Sequence, residues 1–181
     1  MKKSLILLLS ILTLVVGVTC LCTIIKSTSN PVDEIVIDGE VGDVIIHEDL
    51  VFEIVDPPLE NNINTRATSK PFNLNLSGTD EKNAAIPMST YMPYFKVYVK
   101  AYSDSGDIIF SMTKFSPAGP LVNENTQATI KAGNYVVISN KNSPNKNPGE
   151  DLYYANFVSS NKAMHGTASA KVASSVSDLD L

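Results

Sequence analysis

The chain has 181 residues, a formal net charge of −5 and two cysteines, and 44% of its residues are hydrophobic. Both cysteines, Cys20 and Cys22, lie in an apolar N-terminal segment, so the rest of the chain has no disulfide. Small extracellular domains whose cores are too small to fold alone depend on disulfides. The composition therefore excludes a disulfide-stapled scaffold and predicts a domain held together by apolar burial.

The N-terminal segment predicts export. Residues 4–25 form a run of 22 residues without a charge. As a helix, this run is about as long as the hydrocarbon core of a bilayer is thick. Lys2 and Lys3 precede it, and lysines on that side favour a cytoplasmic N-terminus. We expect residues 1–26 to be a membrane anchor that contacts the lipid through residues 4–25, with residues 27–181 extracytoplasmic.

Two alternatives to an uncleaved anchor remain open. The apolar run is longer than that of a typical removable signal peptide, and no alanine precedes Ala67, so an Ala-x-Ala cleavage site is missing. Cleavage after Gly17 or Ser29 would nevertheless yield a secreted protein. Lipid modification at Cys20 or Cys22 is the second alternative, although the residues before each cysteine match a lipoprotein signal poorly.

Residues 27–65 are strongly acidic, with ten Asp or Glu residues and no Lys or Arg. They also contain β-branched runs at 35–37, 44–46 and 50–52, bounded by Asp and Gly, which is a strand signal. A solvated acidic spacer and an ordered hairpin are both compatible with this pattern. A further hypothesis is that residues 33–56 pack along a cationic strand of the following domain. We place the domain boundary near Thr65.

Residues 66–176 predict a single all-β domain, a small antiparallel, Greek-key-like β-sandwich. Strand patterns separated by turn residues recur about seven times, a spacing typical of sandwiches. They cover residues 72–76, 94–102, 107–115, 126–131, 135–139, 152–159 and 164–173. Tyr135, two residues after Gly133, resembles the tyrosine corner of such folds. We expect residues 177–181 to be a frayed tail.

The two histidines give no metal site by pattern. His47 and His165 lie far apart in the chain, and neither has a Cys or His neighbour at the spacing that zinc ligands usually show. We expect neither a metal nor a cofactor.

Catalytic motifs are also missing from the sequence. There is no Gly-x-Ser-x-Gly elbow and no glycine-rich phosphate loop. The acid pairs Asp104/Asp107 and Glu150/Asp151 lie in predicted turns, where such residues are common for conformational reasons. We therefore expect the protein not to be an enzyme.

One predicted strand carries the candidate binding residues. Side chains alternate between the two faces of a strand, and in residues 94–102 one face is apolar. The other face, here called the Tyr/Lys stripe, consists of Tyr94, Lys96, Tyr98, Lys100 and Tyr102. Phenol rings beside ammonium groups suit sugar rings and anionic polymers. The same alternation also occurs on ordinary solvated strand faces.

These features together predict a non-catalytic, membrane-tethered extracytoplasmic domain. Its expected partner is an anionic cell-envelope polymer or another protein, bound through the Tyr/Lys stripe, and no nucleic acid is expected. A cleaved secreted effector or toxin-like protein is the first alternative. An extracytoplasmic enzyme is the second.

Overall fold

The computed structural model describes residues 35–57, 72–121, 127–144 and 153–179. They belong to one compact unit, Val32–Leu181, and form eleven strands and one short helix. The elements are β1 (Ile35–Ile37), β2 (Val44–His47), β3 (Leu50–Ile54), β4 (Asn73–Gly78), β5 (Lys82–Ile86), β6 (Tyr94–Ala101), β7 (Ile108–Lys114), β8 (Gln127–Ile130), β9 (Tyr135–Ser139), β10 (Tyr153–Ser159), β11 (Met164–Ala173) and α1 (Val176–Leu179).

The strands form two sheets, which confirms the all-β prediction. One sheet has five strands in the order β1-β8-β7-β10-β5, and the other has six in the order β2-β3-β9-β6-β11-β4. Neighbouring strands are antiparallel, except that β1 runs parallel to β8. β6 therefore lies inside the six-stranded sheet, between β9 and β11.

The side chains that the two sheets bury form one hydrophobic core. Phe52 comes from the six-stranded sheet, whereas Phe110 and Phe157 come from neighbouring strands of the five-stranded sheet. The rings of the latter two lie 5.8 Å apart. Burying one such side chain contributes about 1.5–3 kcal/mol. Apolar burial thus holds the domain together, as the cysteine positions predicted.

All seven strands predicted between residues 72 and 173 are confirmed, as β4 and β6–β11. β5 was not predicted. Its sequence, Lys-Asn-Ala-Ala-Ile, is poor in β-branched and aromatic residues. It forms because its five residues pair with β10 along their whole length.

The acidic segment contributes strands to both sheets, which corresponds to the ordered hairpin of the two alternatives that its sequence left open. β1 pairs with β8, and β2 and β3 form a hairpin whose second strand pairs with β9. A boundary near Thr65 therefore does not separate residues 35–54 from the later strands. β9 lies between β3 and β6, so the acidic hairpin extends the sheet without pairing directly with the strand that carries the Tyr/Lys stripe.

The end of the chain also differs from the expected frayed tail at 177–181. Val176–Leu179 form α1, beside β6 and β11, and Leu179 is completely buried. Sequence reasoning missed this because the tail has a single large apolar residue before residue 180, and its contact is tertiary.

The predicted anchor at residues 1–26 lies outside the described residues. Within the described ranges, no helix has the length and apolar character needed to span a bilayer.

Candidate functional site

Four of the five residues of the Tyr/Lys stripe lie on the face of β6 that points away from the hydrophobic core, and Tyr102 directly follows the strand. Phe95, Val97, Val99 and Ala101 are buried in that core. Because successive side chains of a strand point to opposite faces, the stripe residues occupy the outer face of the six-stranded sheet. The core face was therefore predicted correctly, but the accessibility of the outer face varies along the strand.

The first half of the stripe is largely covered. Lys96 is only 8% exposed, and Lys171, its direct partner across the β6–β11 pair, is 7% exposed. Ser139, which faces Lys96 from β9, is completely buried. The fold therefore does not provide an open cationic surface along the whole stripe.

Helix α1 accounts for part of this cover. It lies beside β6 and β11. Hydrogen bonds from Ser175 and Ser174 hold the pKa of Asp178 below its ordinary value, and the positive charge of Lys171 lowers it further. Lys171 is on the outer face, so the helix brings an acidic side chain to the lysines at this end of the sheet.

The second half of the stripe opens into a pocket of about 610 Å³. Its walls come from the ends of β3 and β6, the starts of β9 and β11, and the β1–β2 connection. The polar and aromatic groups on these walls are supplied mainly by Lys100, Tyr102, Asp104, Asn134, Tyr135 and His165. Lys100 and Tyr102 are thus the predicted binding residues that the fold brings to a concave site.

The lysine of this pocket lies over one aromatic ring, and a second pair of rings stacks nearby on β6 and β9. The Nζ atom of Lys100 lies 5.3 Å from the ring centroid of Tyr102. Tyr98 stacks on Tyr135 with ring centroids 6.5 Å apart. Burial raises the pKa of the Tyr135 phenol, so this group stays neutral and can donate a hydrogen bond at physiological pH.

An aspartate–histidine pair forms another wall. The Nδ1 atom of His165 lies 2.8 Å from the Asp104 carboxylate oxygens. Because a carboxylate only accepts hydrogen bonds, Nδ1 carries the proton. This hydrogen bond is the main cause that lowers the pKa of Asp104. The edge of the His165 ring meets Tyr102 at a centroid distance of 4.7 Å.

A tight turn after β6 positions Asp104 for this pair. The N–H of Ser105 donates to the carbonyl of Tyr102 at 2.9 Å, which closes the turn. The Ser105 hydroxyl accepts a hydrogen bond from the N–H of His165 at 2.9 Å and donates to the carbonyl of Gly106. The turn is therefore tied to the start of β11, and its carboxylate has a fixed place beside the imidazole.

The opposite wall depends on the turn between β8 and β9. Gly133 has a φ of 91°, a left-handed conformation that glycine adopts without steric cost. The carboxylate of Asp107 accepts hydrogen bonds from Lys131 Nζ at 2.8 Å and from the N–H of Ala132 at 3.2 Å. Asn134 Nδ2 donates to the carbonyl of Ile37 at 3.3 Å. These contacts fix the backbone of the turn that precedes Tyr135, the first residue of β9.

Tyr135 does not have the arrangement of a tyrosine corner. Its ring lines the pocket and stacks on Tyr98, and no described residue accepts a hydrogen bond from its hydroxyl. From the sequence, Tyr135 was interpreted as evidence for a sandwich fold and was not predicted to be a binding residue. A tyrosine two residues after a glycine is compatible both with a tyrosine corner and with a residue that lines a pocket. Only the packing of the ring distinguishes these two arrangements.

The other residues considered for chemistry are dispersed. Asp104 bonds His165 whereas Asp107 bonds Lys131, so these two acids do not act as a pair. Glu150 and Asp151 lie outside the described residues. His47 ends β2, away from the pocket lining. In the described part of the chain, no three metal-ligating side chains cluster.

No protein-family model matches this chain, and neither a curated protein nor a solved structure is detectably similar to it.

Proposed function

We propose that this protein is a non-catalytic, membrane-tethered extracytoplasmic domain that binds a carboxylate-bearing glycan of the cell envelope in the pocket at the end of β6. Residues 4–25 serve as the anchor. The two sheets pack as a Greek-key-like sandwich, an arrangement that the shared hydrophobic core supports. The 22-residue uncharged run after Lys2 and Lys3 supports the tether.

The observation that carries this proposal is the meeting of aromatic rings and one lysine in an open pocket. Tyr102 and Tyr135 present rings, and Lys100, which pairs with Tyr135 across β6 and β9, has its ammonium group over Tyr102. Tyrosine rings provide flat apolar surface with a polar end, which matches the faces and hydroxyls of a sugar. Lys100 supplies a point charge for a carboxylate.

The remaining polar groups fit sugar hydroxyls. Asp104 is an acceptor, Asn134 carries both donors and acceptors, and the Tyr135 phenol is neutral. Asp56 also lines the pocket. Because two carboxylates line the same pocket as Lys100, the pocket favours a polymer with spaced carboxylates among neutral hydroxyls over a densely charged phosphate polymer.

Binding of solubilised peptidoglycan strands to the full-length protein in detergent micelles tests this proposal, with neutral dextran as the reference polymer. Lys100→Glu reverses the charge of this side chain, and we expect it to weaken binding about tenfold. Tyr102→Ala removes a ring face, and we expect a loss of about fivefold, or about 1 kcal/mol.

Lys82→Glu is the matched control because it makes the same charge change on β5, in the other sheet. It should bind peptidoglycan as the wild-type protein does. Equal binding by Lys100→Glu, Tyr102→Ala and Lys82→Glu would reject the pocket as the glycan site. An intact mass that corresponds to a chain starting after Gly17 or Ser29 would reject the tether and favour a secreted protein.

A further inference from the structure

A second exposed surface lies at the edge of the six-stranded sheet, on β2. Val44 and Ile46 are 53% and 63% exposed. β2 is the first strand in the sheet order, and among the described residues it pairs with β3 alone. Large apolar side chains on an unpaired edge strand are uncommon because such an edge can pair with another chain. We call residues 43–49 the β2 edge.

The register of the hairpin shows which backbone groups are free. Glu48 and Asp49 form a two-residue connection between His47 and Leu50, which oppose each other. A two-residue hairpin makes this flanking pair a hydrogen-bonded one, and hydrogen-bonded pairs then alternate along the ladder. Ile45 therefore bonds β3, whereas the N–H and C=O groups of Val44 and Ile46 point away from it.

The other side of β3 agrees with this alternation. Val55 donates its N–H to the carbonyl of Tyr135 in β9, and Ile54 donates to Asp43 on the β2 side. Odd-numbered residues of β3 thus bond β9 and even-numbered ones bond β2. No described residue provides a partner for the outward backbone groups of Val44 and Ile46.

The charge around the β2 edge selects the kind of strand that fits it. Asp43 precedes β2, and Glu48 and Asp49 follow it, so acids stand at both ends of the apolar positions. Residues 35–57 contain no Lys or Arg. Glu53 on β3 already pairs with Lys141 at 2.6 Å, whereas no ion pair engages Asp43 or Asp49 among the described residues.

We propose that the β2 edge docks an extended basic segment of a partner protein, which adds to the sheet as a seventh strand. Its main-chain groups pair with those of Val44 and Ile46, as in other strand-addition complexes. Its apolar side chains cover these two residues, and lysines or arginines at its ends meet Asp43 and Asp49. A second copy of this chain is a poor occupant, because it brings its own acids to the same edge.

The test uses a fluorescein-labelled peptide of alternating lysine and valine with the full-length protein in detergent micelles. We expect binding that weakens as salt is raised, with slower amide exchange confined to residues 43–48. Ile46→Pro removes an outward N–H and leaves the bonds to β3 intact, as proline does at sheet edges. It should weaken binding about tenfold.

Ile46→Thr is the matched control because it keeps the N–H and the β-branched shape, so its affinity should stay within about twofold of wild type. If Ile46→Pro lowers the melting temperature, the decisive measurement is the binding of the same peptide, with N-methylated backbone groups, to the wild-type protein. Equal binding of the N-methylated peptide overturns the proposal. So does slower exchange on another strand, or a wild-type dimer that Ile46→Pro dissociates.

Discussion

The two halves of the Tyr/Lys stripe share one strand, one face and one alternation, but they have different surroundings. Around Lys96 the outer face of the sheet is covered, with Lys171 and Ser139 buried beside it. Around Lys100 the same face opens into the pocket. The period of a strand fixes the face on which a side chain lies, but the access of solvent depends on what packs over that face.

Lys96 and Lys100 therefore have different roles. Lys96 belongs to the packing of the sheet against its cover, so its substitution should alter stability. Lys100 belongs to the pocket, so its substitution should alter binding. Two measurements test this division, and a third tests the Asp104–His165 pair in the pocket wall; they follow in order of expected effect.

Leu179→Ala should have the largest effect on the covered half. Leu179 is completely buried in α1, and truncation of a buried leucine costs about 3 kcal/mol, including the cavity that remains. Chemical denaturation measures the free energy of unfolding, and amine labelling reports whether Lys96 becomes more reactive. Val176→Ala changes a half-buried residue of the same helix and should cost less. Unchanged stability of Leu179→Ala would show that α1 is not part of the cover.

Charge reversal compares the two lysines directly. Lys96→Glu introduces a carboxylate at a position that is 8% exposed, and we expect it to lower the free energy of unfolding by about 2 kcal/mol. Lys100→Glu changes a half-exposed position and should change that free energy by less than about 0.5 kcal/mol. Urea denaturation of both variants gives the values. Similar destabilisation by both substitutions would contradict the distinction between the two halves.

The Asp104–His165 pair should give the smallest effect, at low pH. The hydrogen bond from His165 lowers the pKa of Asp104 below its ordinary value of 3.8. A lowered folded-state pKa contributes stability above the unfolded-state pKa, and this contribution is lost as pH falls through the folded-state value. Because His165→Ala removes this hydrogen bond, an NMR titration of the Asp104 carboxyl carbon should show a higher pKa in that variant.

Asp107 is the control for this titration, because its pKa is lowered mainly by Lys131. Its pKa should not change in His165→Ala. An unchanged Asp104 pKa in the same variant would show that the pair does not form in solution. High salt should reduce the shift, because the pair is at the surface.

Strands with a clear alternation or a β-branched run could be predicted from the sequence. β6, β7, β9 and β11 are of this kind, and turn residues mark their ends. β5 could not be predicted because alanine, asparagine and lysine favour strands weakly, and its pairing with β10 is a tertiary effect. The acidic segment left two alternatives open because its β-branched runs indicated strands while its charge indicated a solvated spacer, and only the pairing with β8 and β9 decides between them.

The candidate site could be predicted only in part. Lys100 and Tyr102 follow from the alternation of one strand, so local sequence was sufficient to find them. Asp104 and His165 are 61 positions apart, and nothing local in either neighbourhood indicates the other. Tyr135 was noticed for its glycine spacing, but its place in the pocket depends on the pairing of β9 with β6. Contacts between distant segments are what the sequence alone did not supply.

Under the proposed membrane tether, the parallel pairing of β1 with β8 would have a mechanical consequence. A pull on the chain ahead of Ile35 reaches β1 first, and the last residue of that strand, Ile37, is completely buried. The Ile37 carbonyl accepts hydrogen bonds from the N–H of Lys131 at 3.1 Å and from Asn134 Nδ2 at 3.3 Å. Tension from the proposed tether would thus be transmitted through the Ile37 carbonyl to the turn before Tyr135, which forms one wall of the pocket.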